Sequence, residues 1–360
     1  MAHRRADYYR TIDRWWLKAR FLALLAGLHW YTGFLRGCGF EPQSFVVVLM
    51  FKKQWFLFAL VTMLTIGIGF APALEPIASI AALKWGIVAV TMFLMVWPFS
   101  FGDVTETLSR PQAALLAVTI NTFLMPLAIW PFIWMFGPEI GAGMIVTFAA
   151  PCTLASAAVW TRRAGGDDRI AIMVTLITNL FCFLSSPFWV WVQLGGQSES
   201  AIEFGSTVVK LLLFVVAPIA VAQFVRLHSQ SATWATENKK KLGIASQIGI
   251  LSIVLLGSVS SGMRFRSSEF SFPVVELILG VACLLLVHVA VLYAGRTIAK
   301  RLKMSNPEQI AVAFAGSQKT LMIGLSIAVS LQVSILPLLA FHSLQLVIDT
   351  LIADRFASDP

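Results

Sequence analysis

Two short stretches decide the fold, Ala149-Ala150-Pro151-Cys152-Thr153 and Ala315-Gly316-Ser317-Gln318-Lys319-Thr320. Each lies about ten residues into an apolar segment that is otherwise long enough to cross a bilayer. In the first, Pro151 removes a backbone donor and its ring clashes with the preceding turn. In the second, small and polar residues interrupt the aliphatic run and Lys319 places a cation in mid-span. Both read as broken helices. A break at membrane depth leaves backbone carbonyls and amides without partners, which is tolerated only where protein or a water-filled cavity receives them. Two such breaks predict a central polar site.

The surrounding chain supports a membrane setting. Of its 360 residues 58% are hydrophobic and 12% charged, against roughly 25% charged in a soluble domain, and its mean hydropathy is +0.80. A soluble globular fold is excluded. From Trp55 onward ten apolar segments follow one another, at about 55–73, 85–101, 113–136, 140–161, 169–194, 205–226, 242–260, 273–295, 308–330 and 332–353. The split between the last two rests on Gln332 and Pro337. Lys and Arg number 27 against 18 Asp and Glu. In a membrane chain this excess reports topology rather than a nucleic-acid partner. With the N-terminus inside, 22 basic residues fall on the cytoplasmic side and three, Lys84, Arg264 and Arg266, outside. The expectation is an all-α polytopic membrane protein with ten transmembrane helices, both termini cytoplasmic, in a bacterial inner (plasma) membrane with the lipid bilayer as partner.

Ten spans divide into two sets of five, and an odd number per set makes the second copy enter from the opposite side. The expected organisation is a first inverted repeat over 55–195 and a second over 196–360, with discontinuous spans four and nine crossing. Span nine starts at Asn306-Pro307-Glu308, with Asn306 read as the cap. Residues 1–54 stand apart as a basic, aromatic-rich extension, read as an amphipathic helix on the cytoplasmic membrane surface. A signal peptide and a start at Met50 are the alternatives. Cys38, Cys152, Cys182 and Cys283 show neither metal-ligand spacing nor a disulfide pattern. The sequence also lacks a Walker A loop, a nucleophile elbow, a paired His/Glu metal motif and a Gly-rich dinucleotide loop, so neither an enzyme nor a resident cofactor is expected.

The polar residues nearest the breaks are Thr153, Ser156, Gly316, Ser317, Gln318, Lys319 and Thr320, and the spans expected to pack around them add Asn121, Thr175, Thr178 and Asn179. Hydroxyls in membrane helices also bond their own backbone or join neighbouring helices, so taken singly Thr178 and Ser156 read either way. Lys319 differs in kind, because a cation in mid-span costs about 2.5 to 3.5 kcal/mol on insertion scales. It needs either the free carbonyls at the negative end of a half-helix or an approaching anion. Glu276 and Asp349 read as reaching headgroups from span ends. His288 and His342 read as hydrogen-bonded core residues, His342 being retained as a site candidate.

These residues resemble a known family. The stretch Ala150-Pro151-Cys152-Thr153-Leu154-Ala155-Ser156, with Gly165-Gly166-Asp167 and Ser186-Pro187, is similar to spans four and five of the bile acid:sodium symporter family. Ala315-Gly316-Ser317-Gln318-Lys319-Thr320-Leu321, with Gly324, is similar to span nine. The lysine there, Lys53-Gln54-Trp55, and Leu338-Leu339-Ala340-Phe341-His342 resemble the branch typified by the seventh vertebrate solute carrier of the family and its bacterial relatives.

The resemblance covers roughly residues 52–355 and implies a panel domain (spans one, two, six and seven) beside a core domain (spans three to five and eight to ten). It implies alternating-access transport of a small organic anion coupled to sodium. Position by position, Asn121, Ser156, Thr175 and Gln318 match side-chain ligands of sodium, and the carbonyls of Ala315 and Ser317 would join them. The family's span-nine glutamate aligns with Phe314, a span-four asparagine with Ala157 and a span-five serine with Ala171. A hard cation wants several oxygens, preferably with a carboxylate. Lys319 is therefore read as standing in for a bound sodium, with transport uncoupled from sodium or driven by protons. The alternatives are a conventional sodium symporter with a degraded ion site and a transporter-fold regulator of calcium or other cation homeostasis.

Overall fold

A computed structural model describes residues 42–99, 111–194, 204–266 and 273–358. The basic stretch 1–41, which carries most of the N-terminal extension, and Arg110 lie outside the described residues. The chain forms two compact units, residues 1–61 and 62–360. In the first, the described part is helical from Pro42, and Trp55 and Phe56 meet edge to face.

The helices are α1 (Pro42–Gly69), α2 (Ala71–Ala78), α3 (Ala81–Val96), α4 (Gln112–Thr119), α5 (Met125–Ile133), α6 (Pro138–Ala149), α7 (Ser156–Arg163) and α8 (Asp168–Leu194). They continue as α9 (Phe204–Leu211), α10 (Ala217–Arg226), α11 (Ser229–Glu237), α12 (Lys239–Arg264), α13 (Val274–Arg301), α14 (Asn306–Ser317), α15 (Leu321–Ser330) and α16 (Leu336–Ser358). Single π-turns, Ile120–Leu124 and Leu212–Val216, join α4 to α5 and α9 to α10. Among the described residues seven helices are long and apolar enough to cross a membrane, or eight if α1 and α2 form one bent span; α3 and α6 are apolar but shorter.

The apolar pattern located these helices, and local chemistry shaped their ends. The segment expected at 55–73 turns through 98° between α1 and α2, where Phe70 leaves helical geometry and Pro72 sits in the first turn of α2. The cap of α14 is Ser305 rather than Asn306. Glu308 reaches back to accept the Ser305 N–H and hydroxyl, both at 2.7 Å, which closes a capping box and places Pro307 inside the first turn. The separation at Gln332 is present: this residue adopts φ +54°, and helix resumes at Leu336.

Within residues 62–360 the helices pack in two sets. In one, α12 lies against α2 and α3, and α10 against α3 and α11. In the other, α14 is surrounded by α13, α4, α8 and α7, and α6 lies against α5, α8, α13, α15 and α16. In the interrupted segment Asn306–Ser330 every residue from Ile310 to Ala328 is buried. Phe314 lies in an apolar cluster with Leu292, Ile310, Ile352 and Phe356, its ring edge-on to Phe356 at 5.9 Å.

Close approach fixes where α6 sits. A Cβ on Gly143 would stand 2.7 Å from Pro337 Cγ and 2.9 Å from the Ser334 carbonyl, which is backbone and cannot swing aside. Gly143→Ala is expected to lower stability by about 1 to 3 kcal/mol, read as a lower melting temperature in detergent. Gly86→Ala, where nothing lies within 4 Å of the added carbon, is expected to leave that temperature unchanged or raise it.

Candidate ion and substrate site at the helix crossover

The two breaks face each other. α6 ends at Ala149 and α14 at Ser317, each after 12 residues. Ala150 and Gln318, the cap residues, both turn into extended backbone (ψ 149° and 143°). The Thr320 N–H then donates to the Pro151 carbonyl at 2.8 Å and ties one break to the other.

Each carbonyl released by the first break has a donor. Ser186 Oγ donates to Ala149 O (2.8 Å), Lys319 Nζ to Ala150 O (2.8 Å), Thr320 N to Pro151 O, Asn179 Nδ2 to Cys152 O (2.9 Å) and Thr175 Oγ1 to Thr153 O (2.9 Å). The Cys152 N–H donates to Thr178 Oγ1 at 3.3 Å. The second break is served in the same way. Asn121 Nδ2 faces the carbonyls of Ala315, Gly316 and Gln318, nearest the last at 2.8 Å. His288 Nδ1 meets Ser317 O at 3.1 Å, and His342 Nδ1 meets Lys319 O at 3.3 Å. The Lys319 N–H donates to Gln345 Oε1 at 3.2 Å.

Lys319 is 1% exposed and is one of the largest fully buried side chains. Its ammonium donates to Asn121 O at 2.6 Å and to Ala150 O, with Asn121 Oδ1 at 3.4 Å. The Asn121 carbonyl is available for a reason written in the sequence. In the π-turn the Met125 N–H goes to Ile120 O, and the next residue, Pro126, has no N–H to offer. The ammonium thus sits among neutral oxygens, with the negative end of α6 supplying one of them.

A carboxylate is nevertheless present. Asp349 was expected to reach headgroups, but α16 runs on to Ser358, so Asp349 lies inside the helix bundle and is fully buried. Its Oδ2 accepts from Gln318 Nε2 at 2.7 Å and its Oδ1 lies 2.8 Å from His288 Nε2. The His288 Nδ1 faces a carbonyl, which only accepts, so Nδ1 carries hydrogen. The contact at Nε2 sets the other side of the imidazole directly against the Asp349 carboxylate. Gln318 passes this pairing on: its Oε1 accepts from Thr153 Oγ1 at 3.0 Å, and Ser156 Oγ, which donates to Thr153 Oγ1 at 2.7 Å, lies 3.2 Å from it.

Of the residues anticipated from sequence, Asn121, Thr153, Ser156, Thr175, Asn179, Ala315, Ser317, Gln318, Lys319, Thr320 and His342 all lie at this junction, in one hydrogen-bonded set. His288, Gln345 and Asp349 were missed as members. For Gln345 and Asp349 the signal was a polar stripe: with His342 they fall at i, i+3 and i+7 on one face of α16, whereas His288 stands alone on α13. Phe314, Ala157 and Ala171 are buried, Phe314 among apolar side chains of α13 and α16.

A sequence profile described as the SBF-like CPA transporter family matches residues 54–358. The chain belongs to this family. An uncharacterized protein of Pseudomonas aeruginosa is 28% identical over 69% of this chain and 75% of its own length. The putative symporter YfeH of Escherichia coli is 26% identical over 67% and 74%, and sodium/bile acid cotransporter 7-A of Xenopus laevis 21% over 85% and 92%. Family and apolar helices together make this an integral, multi-pass membrane transporter of the bile acid:sodium symporter family.

Removing one partner of a buried pair strands the other. Asp349→Ala is expected to cost about 3 to 5 kcal/mol of stability, since it removes the partner of His288 Nε2 and of the Gln318 amide. Asp349→Asn, which keeps the shape and an acceptor for Gln318, is expected to cost less. Melting temperatures of the two variants in detergent check both the size and the order.

Proposed function

We propose that this transporter is a secondary carrier of a small organic anion, working by alternating access, in which the Lys319 ammonium occupies the place of a co-transported sodium ion. The observation that carries the proposal is the setting of Lys319: a buried cation on oxygens from the π-turn and from the end of α6. Those are the ligands a hard cation would take. The carbonyls of Ala315 and Ser317, implied as sodium ligands by the family resemblance, face Asn121 and His288. The hydroxyls of Thr153 and Ser156 converge on Gln318 Oε1. With these oxygens engaged by protein donors, a sodium ion has to displace bonds already made.

The same reading assigns ten crossings in two inverted repeats, 55–195 and 196–360. Its support is the correspondence of α6 and α14, each 12 residues long with Pro and Glu in the first turn and a break at the end. In each half the helix that follows the broken span carries side chains that hold the break: Thr175, Thr178 and Asn179 on α8, and His342, Gln345 and Asp349 on α16. The set built on α12 serves as panel and the set around α14 as core. On this reading both termini are cytoplasmic, which the skewed distribution of basic residues along the sequence supports.

The test is thermal stability of purified protein in sodium chloride against choline chloride, with uptake of organic carboxylates and sulfonates into proteoliposomes. A ligand that binds the folded state raises its stability by mass action. Wild type is expected to melt at one temperature in both salts. Lys319→Ala is expected to melt lower in choline, to regain part of the loss in sodium, and to transport roughly tenfold more slowly or worse, equivalent to about 1.4 kcal/mol. Sodium-specific stabilisation of wild type, or full activity of Lys319→Ala, overturns the proposal in favour of conventional sodium symport.

A further inference from the structure

The packing between the two helix sets gathers toward one end. The panel set meets the core set where α15 lies against α12 and α3, and where α8 meets α9, the segments following it in sequence. α15 is the half of the broken span remote from the basic loops. The other half-helices, α14 and α7, pack against α13, α4, α8 and α16, members of their own set.

At the gathered end one side chain bridges the sets twice. Arg264, the last residue of α12, places Nη1 3.3 Å from Oε1 of Glu139 in the first turn of α6. Its Nη2 donates to the carbonyl of Gln332, in the turn between α15 and α16. Gln332 has φ +54°, a left-handed conformation that costs a residue with a Cβ about 1 to 2 kcal/mol. Strain of this kind persists where the surroundings hold it. Beneath the bridge Gly257 of α12 seats so closely that a Cβ there would stand 2.7 Å from Val329 Cγ2 and 3.4 Å from Ile335 Cδ1.

We propose that Arg264 is the latch of the cleft between panel and core on the side away from the basic loops, and that this structure is the state open toward the basic side. The inference rests on the alternating-access reading. At the crossover, Ala155 is exposed and Ser156 partly exposed. They lie at the start of α7, which leads from the break to Arg162 and Arg163 at the basic surface. A cargo held at the crossover therefore has its approach from the basic side, while Arg264, Glu139 and Gln332 bar the other. Opening to the far side requires the guanidinium to leave both partners.

The experiment places a single cysteine under the latch, Ile335→Cys, in a background with the four native cysteines replaced, and follows its reaction with a membrane-impermeant maleimide added from outside the cell. Ile335 is 1% exposed, so labelling is expected to be slow. Arg264→Ala is expected to raise the rate about five- to tenfold, as loss of a coupling of that size shifts a two-state population. Arg264→Lys, which retains charge without the two-pronged geometry, is expected to fall between. Lys84→Ala, a basic residue on the same side and outside the bridge, is expected to leave the rate unchanged. Equal rates with and without Arg264 overturn the latch. Should Arg264→Ala fail to elute as a folded monodisperse species, Glu139→Gln and Arg264→Lys carry the same comparison, and unaltered rates in both overturn it. Labelling needs no cargo and no sodium, so its failure leaves the Lys319 proposal standing, and the reverse holds.

Discussion

A carbonyl released inside a bilayer has to be paired, and this constraint organises the protein. Breaking α6 and α14 frees two runs of backbone oxygen, from Ala149 to Thr153 and from Ala315 to Lys319, and each of those ten carbonyls faces a donor. The donors are not spread at random. Those for the first run come largely from α8, those for the second from α13, α16 and Asn121, and the second break lends the first two donors, Thr320 N and Lys319 Nζ. An unpaired group here would cost several kcal/mol, so the polar residues of these helices are fixed in number and position by the breaks they serve.

Within that scheme Lys319 occupies a position that a free ion could also fill. An ammonium offers three hydrogens and a point charge, and it finds oxygen at the Asn121 carbonyl, the Ala150 carbonyl and, at longer range, the Asn121 amide. The difference from a sodium ion is covalent attachment. A tethered cation neither dissociates nor carries the energy of a gradient. The counter-charge is held apart: Asp349 is bonded to Gln318 and His288 rather than to the ammonium. The Lys319 ammonium is thus left on the oxygens of Asn121 and Ala150 alone among the described contacts.

Much of this was legible in the sequence because the strongest signals in a membrane chain are coarse ones. Length and apolarity located the helices, and Pro151 and the run Gly316 to Thr320 located the breaks. The insertion cost of a mid-span cation singled out Lys319. Asp349 escaped because its depth was judged from the end of the apolar run near residue 353, whereas α16 extends to Ser358 and its last turns carry it inward. Its membership is visible only once the stripe shared with His342 and Gln345 is considered together. The π-turn was not legible either: Pro126 announces a missing donor, but which oxygen it frees, and that Lys319 reaches it, depends on helices far apart in sequence. The cap at Ser305 shows the same limit on a smaller scale, since Asn306 and Ser305 are both good caps and Glu308 decides between them.

The carbonyl constraint also bears on how such a site moves. A break whose oxygens are each satisfied by neighbouring helices is stiff, because displacing any one helix strands several polar groups together. The core set is therefore better moved as a body than rearranged internally. Motion is cheaper at the seam between the sets, where the packing around Gly257 is apolar. There Arg264 supplies two directional bonds near the surface, where its side chain is 36% exposed and water can replace the partners it gives up. Strong, buried and multiply shared bonds hold the crossover; weak, exposed and replaceable ones hold the seam. That division is what a carrier needs if it is to change the side it opens to without dismantling the site it delivers from.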